Sequence, residues 1–255
     1  MNTQIPKIAL ITGGSRGLGR NTAESSARKG IDVVITYHSR ADEARAVTEA
    51  IKAEGRNAVA LQLDTAAVGT FDRFAEKLKG ALRDTWNRDR FDFLINNAGI
   101  SHHNSIERTT EAELDALYSV HFKGVFFLTQ RLLPLINDGG RIVNLSSGLT
   151  RIIFPGSAPY ASMKGAIEVL TRYMAKELGP RRIAVNVVAP GAIATDFSGG
   201  IVRDNPEINK RVADMTALGR AGLPDDIGPM IASLLSEDNR WVNAQRIEVS
   251  GGMSI

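Results

Sequence analysis

Short β-branched runs alternate along the chain with stretches in which apolar residues recur every three or four positions. The strand-like runs are Ile8–Thr12, Asp32–Tyr37, Ala58–Leu63, Phe93–Asn96, Arg141–Leu145, Ala184–Val188 and Arg246–Val249. Most lack polar alternation, the pattern of strands covered on both faces. The intervening segments read as amphipathic helices. Ser39-Arg40-Ala41-Asp42 resembles a capping box ahead of Ala44, Val47 and Ile51, with Gly55 as the stop. Phe71, Phe74, Leu78 and Leu82 mark a second helix. Thr110-Glu111-Ala112-Glu113 caps a third, with Leu114, Leu117, Val125, Leu128 and Leu132 on one side. A fourth begins near Tyr160 and stops at Gly179-Pro180. This alternation predicts an α/β fold: a doubly wound parallel sheet of about seven strands, with helices on both faces. No linker, repeat or composition break divides it, so residues 1–255 read as a single domain. In such sheets ligands sit beyond the carboxyl ends of the strands. Phe197–Ala217 follows a strand end and lacks firm signals, which is where a substrate lid is expected.

Composition narrows the chemistry. The 255 residues correspond to about 1.7 domains at ~150 residues each, enough for a sizeable core without staples. Cysteine is absent, which excludes disulfides, thiolate metal sites and a cysteine nucleophile. The four histidines (His38, His102, His103, His121) have no metal-ligand spacing, so no metal is expected. A net charge of +3 is small, and its basic residues are dispersed, so nucleic acid is not an expected partner. No window approaches ~18 apolar residues, and Met1–Lys7 has no basic n-region ahead of an apolar run. The expectation is a cytoplasmic protein with no membrane partner.

The first candidate constellation is Thr12-Gly13-Gly14-Ser15-Arg16-Gly17-Leu18-Gly19, between the first strand and the first helix. Glycines let backbone amides approach a pyrophosphate, and the helix N-terminus adds donors and a positive dipole end. The glycines at 13, 17 and 19 follow a TGxxxGxG spacing that resembles the short-chain dehydrogenase/reductase family. Other stretches carry the same resemblance, in order, over residues 5–252. Asn96-Asn97-Ala98-Gly99 ends the fourth strand and Ser147 the fifth; Tyr160-Ala-Ser-Met-Lys164 is a YxxxK motif. Asn186-Val-Val-Ala-Pro190-Gly191-Ala-Ile193-Ala-Thr195 resembles the family's nicotinamide-side loop. Asp64 closes the third strand, with Thr65 after it, where the family contacts adenine.

The resemblance implies a single-domain Rossmann fold, NADP(H) as cofactor, a small carbonyl or alcohol substrate, and a homotetramer with paired long helices. It assigns cofactor contacts to Gly13, Ser15, Arg16, Gly17, Leu18, Gly19, Asp64, Thr65, Asn97, Ala98, Gly99, Tyr160, Lys164, Pro190, Gly191, Ile193 and Thr195. Tyr160 would transfer the proton, Lys164 would lower its pKa and bind ribose hydroxyls, and Ser147 would position the carbonyl. The chemistry is coherent without the family. Residues four apart share a helix face, and a nearby ammonium with the positive nicotinamide ring would favour the phenolate. The second strand ends at Tyr37-His38-Ser39-Arg40 with no carboxylate before Asp42. That favours the 2′-phosphate of NADP, held by Arg16 and Arg40 with His38 and Ser39 alongside.

One departure stands out. Val120-His121-Phe122-Lys123-Gly124 has histidine where the family has an asparagine that helps hold a water linked to the lysine. His121 can donate and accept there; simple packing and impaired catalysis are the other readings. His102 and His103 read first as solvated loop residues and second as cleft lining. The function that follows is hydride transfer between nicotinamide and a ketone or secondary alcohol. The enzyme alternative is a 3-oxoacyl–carrier-protein reductase. It ranks lower because the two positions expected to grip an acidic carrier carry Arg181 and Asp138. The non-enzyme alternative is an impaired NADP-binding sensor or structural protein. Phe154, Phe197 and Ile201 suggest an apolar cleft but do not name a substrate.

Overall fold

A computed structural model describes residues 6–255; the reading of Met1–Ile5 lies outside them. Seven strands form one sheet in the order β3-β2-β1-β4-β5-β6-β7. They are β1 (Ile8–Ile11), β2 (Asp32–Tyr37), β3 (Ala58–Gln62), β4 (Phe91–Asn96), β5 (Ile136–Leu145), β6 (Ala184–Pro190) and β7 (Arg246–Val249). Every pairing is parallel, for example Ala9 with Val33 on one side and with Phe93 on the other. The order reverses between β1 and β4, which opens a crevice at their carboxyl ends.

The unbroken apolar runs follow from double coverage. Ala9 and Ile11 face one core with Ala23, Val47, Ile51, Ile227 and Ile231. Ile8 and Leu10 face the other with Phe74, Leu78, Leu128 and Leu132. Successive strand residues point to opposite faces, so neither position can be polar. One layer contains helices α1 (Gly17–Arg28), α2 (Ala41–Ala53) and α9 (Pro224–Leu234). The other contains α3 (Phe71–Trp86), α5 (Gly124–Leu132) and α6 (Ala158–Glu177).

Several expectations need correction. Arg40, not Ser39, is the N-cap of α2, and no side chain caps it. Thr110 does form a capping box with Glu113. The helix it opens, α4 (Glu111–Tyr118), does not run straight into α5: a π-helical turn, Ser119–Lys123, intervenes. Leu117, Leu128 and Leu132 are buried while Leu114, upstream of the turn, is 41% exposed, and the wider turn offsets the apolar phase of α5 from that of α4. β5 starts five residues early, at Ile136, with an irregularity opposite Phe91–Phe93. Phe197–Ala217 contains a 3₁₀ turn (Phe197–Gly200) and two short helices, α7 (Ile201–Asp204) and α8 (Pro206–Asp214).

Candidate active site

The crevice at the switch point is one cleft of about 1050 Å³. Every candidate site residue of the sequence reading lines it, including Ser147, Tyr160, Lys164 and His121.

Its floor is two turns stitched together. Thr12 Oγ1 accepts the backbone N–H groups of Asn97 at 2.9 Å and Ala98 at 3.0 Å. The Asn97 amide in turn donates to the Thr12 carbonyl at 2.8 Å. Gly13 and Gly17 have φ of +65° and +54°, a region that side chains resist. A Cβ on Gly19 would lie 2.2 Å from the Gly13 carbonyl oxygen, so only glycine lets α1 start against its own loop. No side chain caps α1 at Arg16, which leaves its opening N–H groups for another acceptor. The result is an anion cradle with room beside it, the form a dinucleotide pyrophosphate requires.

At the end of β2, the His38 carbonyl accepts from Gln62 at 2.9 Å and the His38 ring lies 3.8 Å from Asp64. Arg40 is paired with Glu43 at 2.5 Å, and Arg16 lies 3.9 Å from Asp196. Neither guanidinium is as free as the sequence suggested, because both acidic partners come from outside the motif.

The chemistry-bearing wall is α6 and the end of β5. Tyr160 and Lys164 are 9% and 5% exposed. Lys164 Nζ donates to the Leu145 carbonyl at 2.8 Å and lies 5.6 Å from the Tyr160 ring centre. Burial pushes the Lys164 ammonium down to about 7. Burial also raises the Tyr160 phenol well above its ordinary value, against a smaller downward pull from its hydrogen bond to Ser147. In the cofactor-free site desolvation dominates and keeps the phenol protonated; the expected pull toward phenolate includes the positive nicotinamide ring and so acts with cofactor in place. Ser147 Oγ accepts from the Leu149 amide at 3.2 Å.

A network that sequence reasoning missed holds this wall. Glu168 accepts from Ser146 at 2.6 Å, Thr150 at 2.8 Å and Arg246 at 2.8 Å. Arg151 chelates Glu248 and reaches the Met253 carbonyl at 2.7 Å. These partners are scattered over about a hundred positions, so no local motif announces them.

His121 is 1% exposed and meets the Tyr160 ring edge-on, with centroids 5.2 Å apart. Its Nε2 lies 2.8 Å from the Ile100 carbonyl and 3.3 Å from the Ile100 amide nitrogen, and the shorter contact favours the tautomer with the proton on Nε2. Nδ1 is then a buried acceptor without a partner. Burial and, secondarily, the Lys164 charge lower its pKa to about 3, so the ring is neutral. His102 and His103 both line the cleft rather than standing clear of it. The opposite wall is the loop from Pro190 and Gly191 through Ile193 to Thr195, continuing into α7 and α8, with Phe197 6.1 Å from Tyr160. Among the described residues no cluster of His, Cys, Asp or Glu has metal-binding form, and no helix is long and apolar enough to cross a membrane.

Known proteins resemble this chain in sequence and in fold. A family model described as enoyl-(acyl carrier protein) reductase, one of those for short-chain dehydrogenases/reductases, matches residues 13–254. The chain belongs to the short-chain dehydrogenase/reductase family. This short-chain oxidoreductase, which acts on the C=O/CH–OH pair, is similar to an uncharacterised oxidoreductase of Methylorubrum extorquens. They are 37% identical over 97% of each chain. It is also 35% identical to the 3-oxoacyl-[acyl-carrier-protein] reductase of Staphylococcus aureus, covering 98% of this chain and 99% of that one. Among solved structures, the angucycline C-6 ketoreductase LanV with bound NADP superimposes with a TM-score of 0.93 at 35% identity, covering 98% of this chain and 96% of that one.

Proposed function

We propose that this short-chain reductase moves hydride between NADP(H) and a ketone or secondary alcohol through Ser147, Tyr160 and Lys164. The observation that carries the reading is the convergence of a buried tyrosine, its serine partner and a buried lysine on the cleft that holds the glycine cradle. The bound nicotinamide supplies or accepts the hydride at the carbonyl carbon. Ser147 donates a hydrogen bond to the substrate oxygen as negative charge grows there. Tyr160, kept as a phenol by burial, gives that oxygen its proton. Lys164, poised near 7, exchanges its charge state readily and receives the ribose hydroxyls. His121 stands in for the family's asparagine: neutral, fixed by Ile100, it offers Nδ1 to the hydrogen-bond path that resupplies Lys164.

The remaining cofactor contacts are Gly13, Ser15, Gly17, Leu18, Gly19, Asp64, Thr65, Asn97, Ala98, Gly99, Pro190, Gly191, Ile193 and Thr195. Arg40 exchanges Glu43 for the 2′-phosphate, with Arg16, His38 and Ser39 beside it. The NADP seated in LanV supports this choice. Residues 1–255 act as one domain whose segment 197–217 closes over the substrate. The enzyme works in the cytoplasm as a homotetramer; the exposed Leu114, Tyr118, Phe126, Phe127, Val169 and Tyr173 on α4, α5 and α6 are apolar surface suited to helix pairing.

The likeness to the Staphylococcus aureus enzyme favours carrier-bound 3-oxoacyl chains as a second reading. Against it, Arg181 is paired with Asp138 at 2.8 Å, which cancels the charge an acidic carrier would need. The test is oxidation of NADPH and NADH with a panel of free ketones and a carrier-bound 3-oxoacyl thioester. Tyr160→Phe should retain NADPH binding and lose far more than tenfold in kcat. A mutant keeping a tenth of wild-type kcat would mean less than ~1.4 kcal/mol of barrier depends on the phenol, and the assignment would fail.

A further inference from the structure

At the substrate end of the cleft a cationic side chain stands against an aromatic wall. Arg211, on α8, lines the cleft and places its guanidinium 6.0 Å from the centre of the Phe154 ring. It is exposed and makes no ion pair or side-chain hydrogen bond among the described residues. Asp214 pairs with Lys210, and Asp204 and Asp196 pair with Arg203; Glu207, one turn earlier on α8, does not line the cleft and makes no ion pair with Arg211. Two residues beyond Phe154, Gly156 carries the His103 ring so closely that a Cβ there would lie 2.4 Å from it. The adjacent His102 lines the same cleft and has a buried Nε2 with no partner. The only carboxylates lining the cleft among the described residues are Asp64 and Asp196. Asp64 lies by His38, and Asp196 is held between Arg16 and Arg203.

An unpaired guanidinium over an aromatic wall, with imidazoles nearby and no carboxylate lining that corner of the cleft, is built to receive an anion attached to an apolar body. We propose that Arg211 is a specificity-determining residue, and that the substrate is an apolar ketone bearing a carboxylate or ionised phenol away from its carbonyl. Phe154 packs against the body and Arg211 pairs with the anionic group. This rests on the carbonyl-reductase reading above and adds the substrate class. Because Arg211 sits on the lid, an anionic substrate would also hold α8 against the Phe154–Gly156 turn.

The test uses 4-acetylbenzoate and its methyl ester, a matched anionic and neutral pair, with NADPH. The wild type should prefer the carboxylate by about tenfold or more in kcat/KM, the scale of one partly screened charged hydrogen bond. Arg211→Gln should erase that preference chiefly through KM, and Arg211→Glu should move it to a ketone bearing an ammonium group. Equal use of acid and ester by the wild type, or an unchanged ratio in Arg211→Gln, would overturn the proposal. Calorimetric binding of 4-acetylbenzoate to the NADPH-loaded protein separates this from turnover. Binding that Arg211→Gln weakens, without reduction, would uphold the anion site while counting against the reductase reading. Reduction of both ketones with no dependence on residue 211 would do the reverse.

Discussion

Lys164 is a charged side chain that the fold has to accommodate at a cost. Its ammonium is buried and its pKa falls from 10.5 to about 7. At about 1.4 kcal/mol per tenfold change in proton affinity, this corresponds to ~5 kcal/mol of destabilisation of the native state below pH 7. The direction is fixed. The unfolded chain binds the proton more tightly, so the penalty is complete below pH 7, shrinks as pH rises from 7 to 10.5, and vanishes above it. Lys164→Met removes the charge and also the 2.8 Å hydrogen bond to the Leu145 carbonyl, a loss of about 1.5–3 kcal/mol. The net gain at pH 6 is ~2–3 kcal/mol, or roughly 4–12 °C in Tm for a chain of this size. By pH 9 the penalty has fallen by ~2–3 kcal/mol, enough to bring the two proteins level. Differential scanning fluorimetry of both cofactor-free proteins at pH 6, 7.5 and 9, at one protein concentration, reads the difference. The mutant should be more stable and catalytically inactive, a site that trades stability for function. A mutant less stable at pH 6, or a gap that does not close with pH, would refute the reasoning.

Arg40→Ala should cost on the order of 1.5–3 kcal/mol in NADPH binding and leave NADH binding nearly unchanged; wild-type kcat/KM that is equal or better with NADH would sink the NADP assignment. Ser198, Gly199 and Gly200 all have positive φ (55°, 68° and 78°) at the start of the lid. Hydrogen exchange across 197–217 should therefore be fast without ligand and slow with NADPH plus substrate, and slow exchange in both states would argue against closure. Because His121 is neutral down to about pH 3, any inflection of kcat/KM near pH 7 belongs to Lys164, and His121→Asn should leave it in place. His121→Asn should keep at least a tenth of the activity while His121→Leu loses most of it. A His121→Leu enzyme as active as wild type would reduce that residue to packing.

The strands, their order of appearance and the strand-end candidates were legible in the chain because double coverage leaves a local mark: β1 buries Ile8 and Leu10 on one face and Ala9 and Ile11 on the other. The glycine turn, Asn97, Ser147, Tyr160 and Lys164 were legible for a related reason: backbone geometry and reactive groups at set spacings are properties of short segments. Tertiary structure decided the rest. The π-turn at Ser119–Lys123 carries the buried His121, a local widening that a uniform helical period could not anticipate. Desolvation, which depends on every surrounding element, set Tyr160 and Lys164 in opposite directions from their ordinary values. Arg16 met Asp196, Glu168 gathered Ser146, Thr150 and Arg246, and Arg211 came to rest over Phe154. Local patterning encodes which face a residue presents, while charge, protonation and specificity depend on neighbours that are distant in sequence and exist only once the chain has packed.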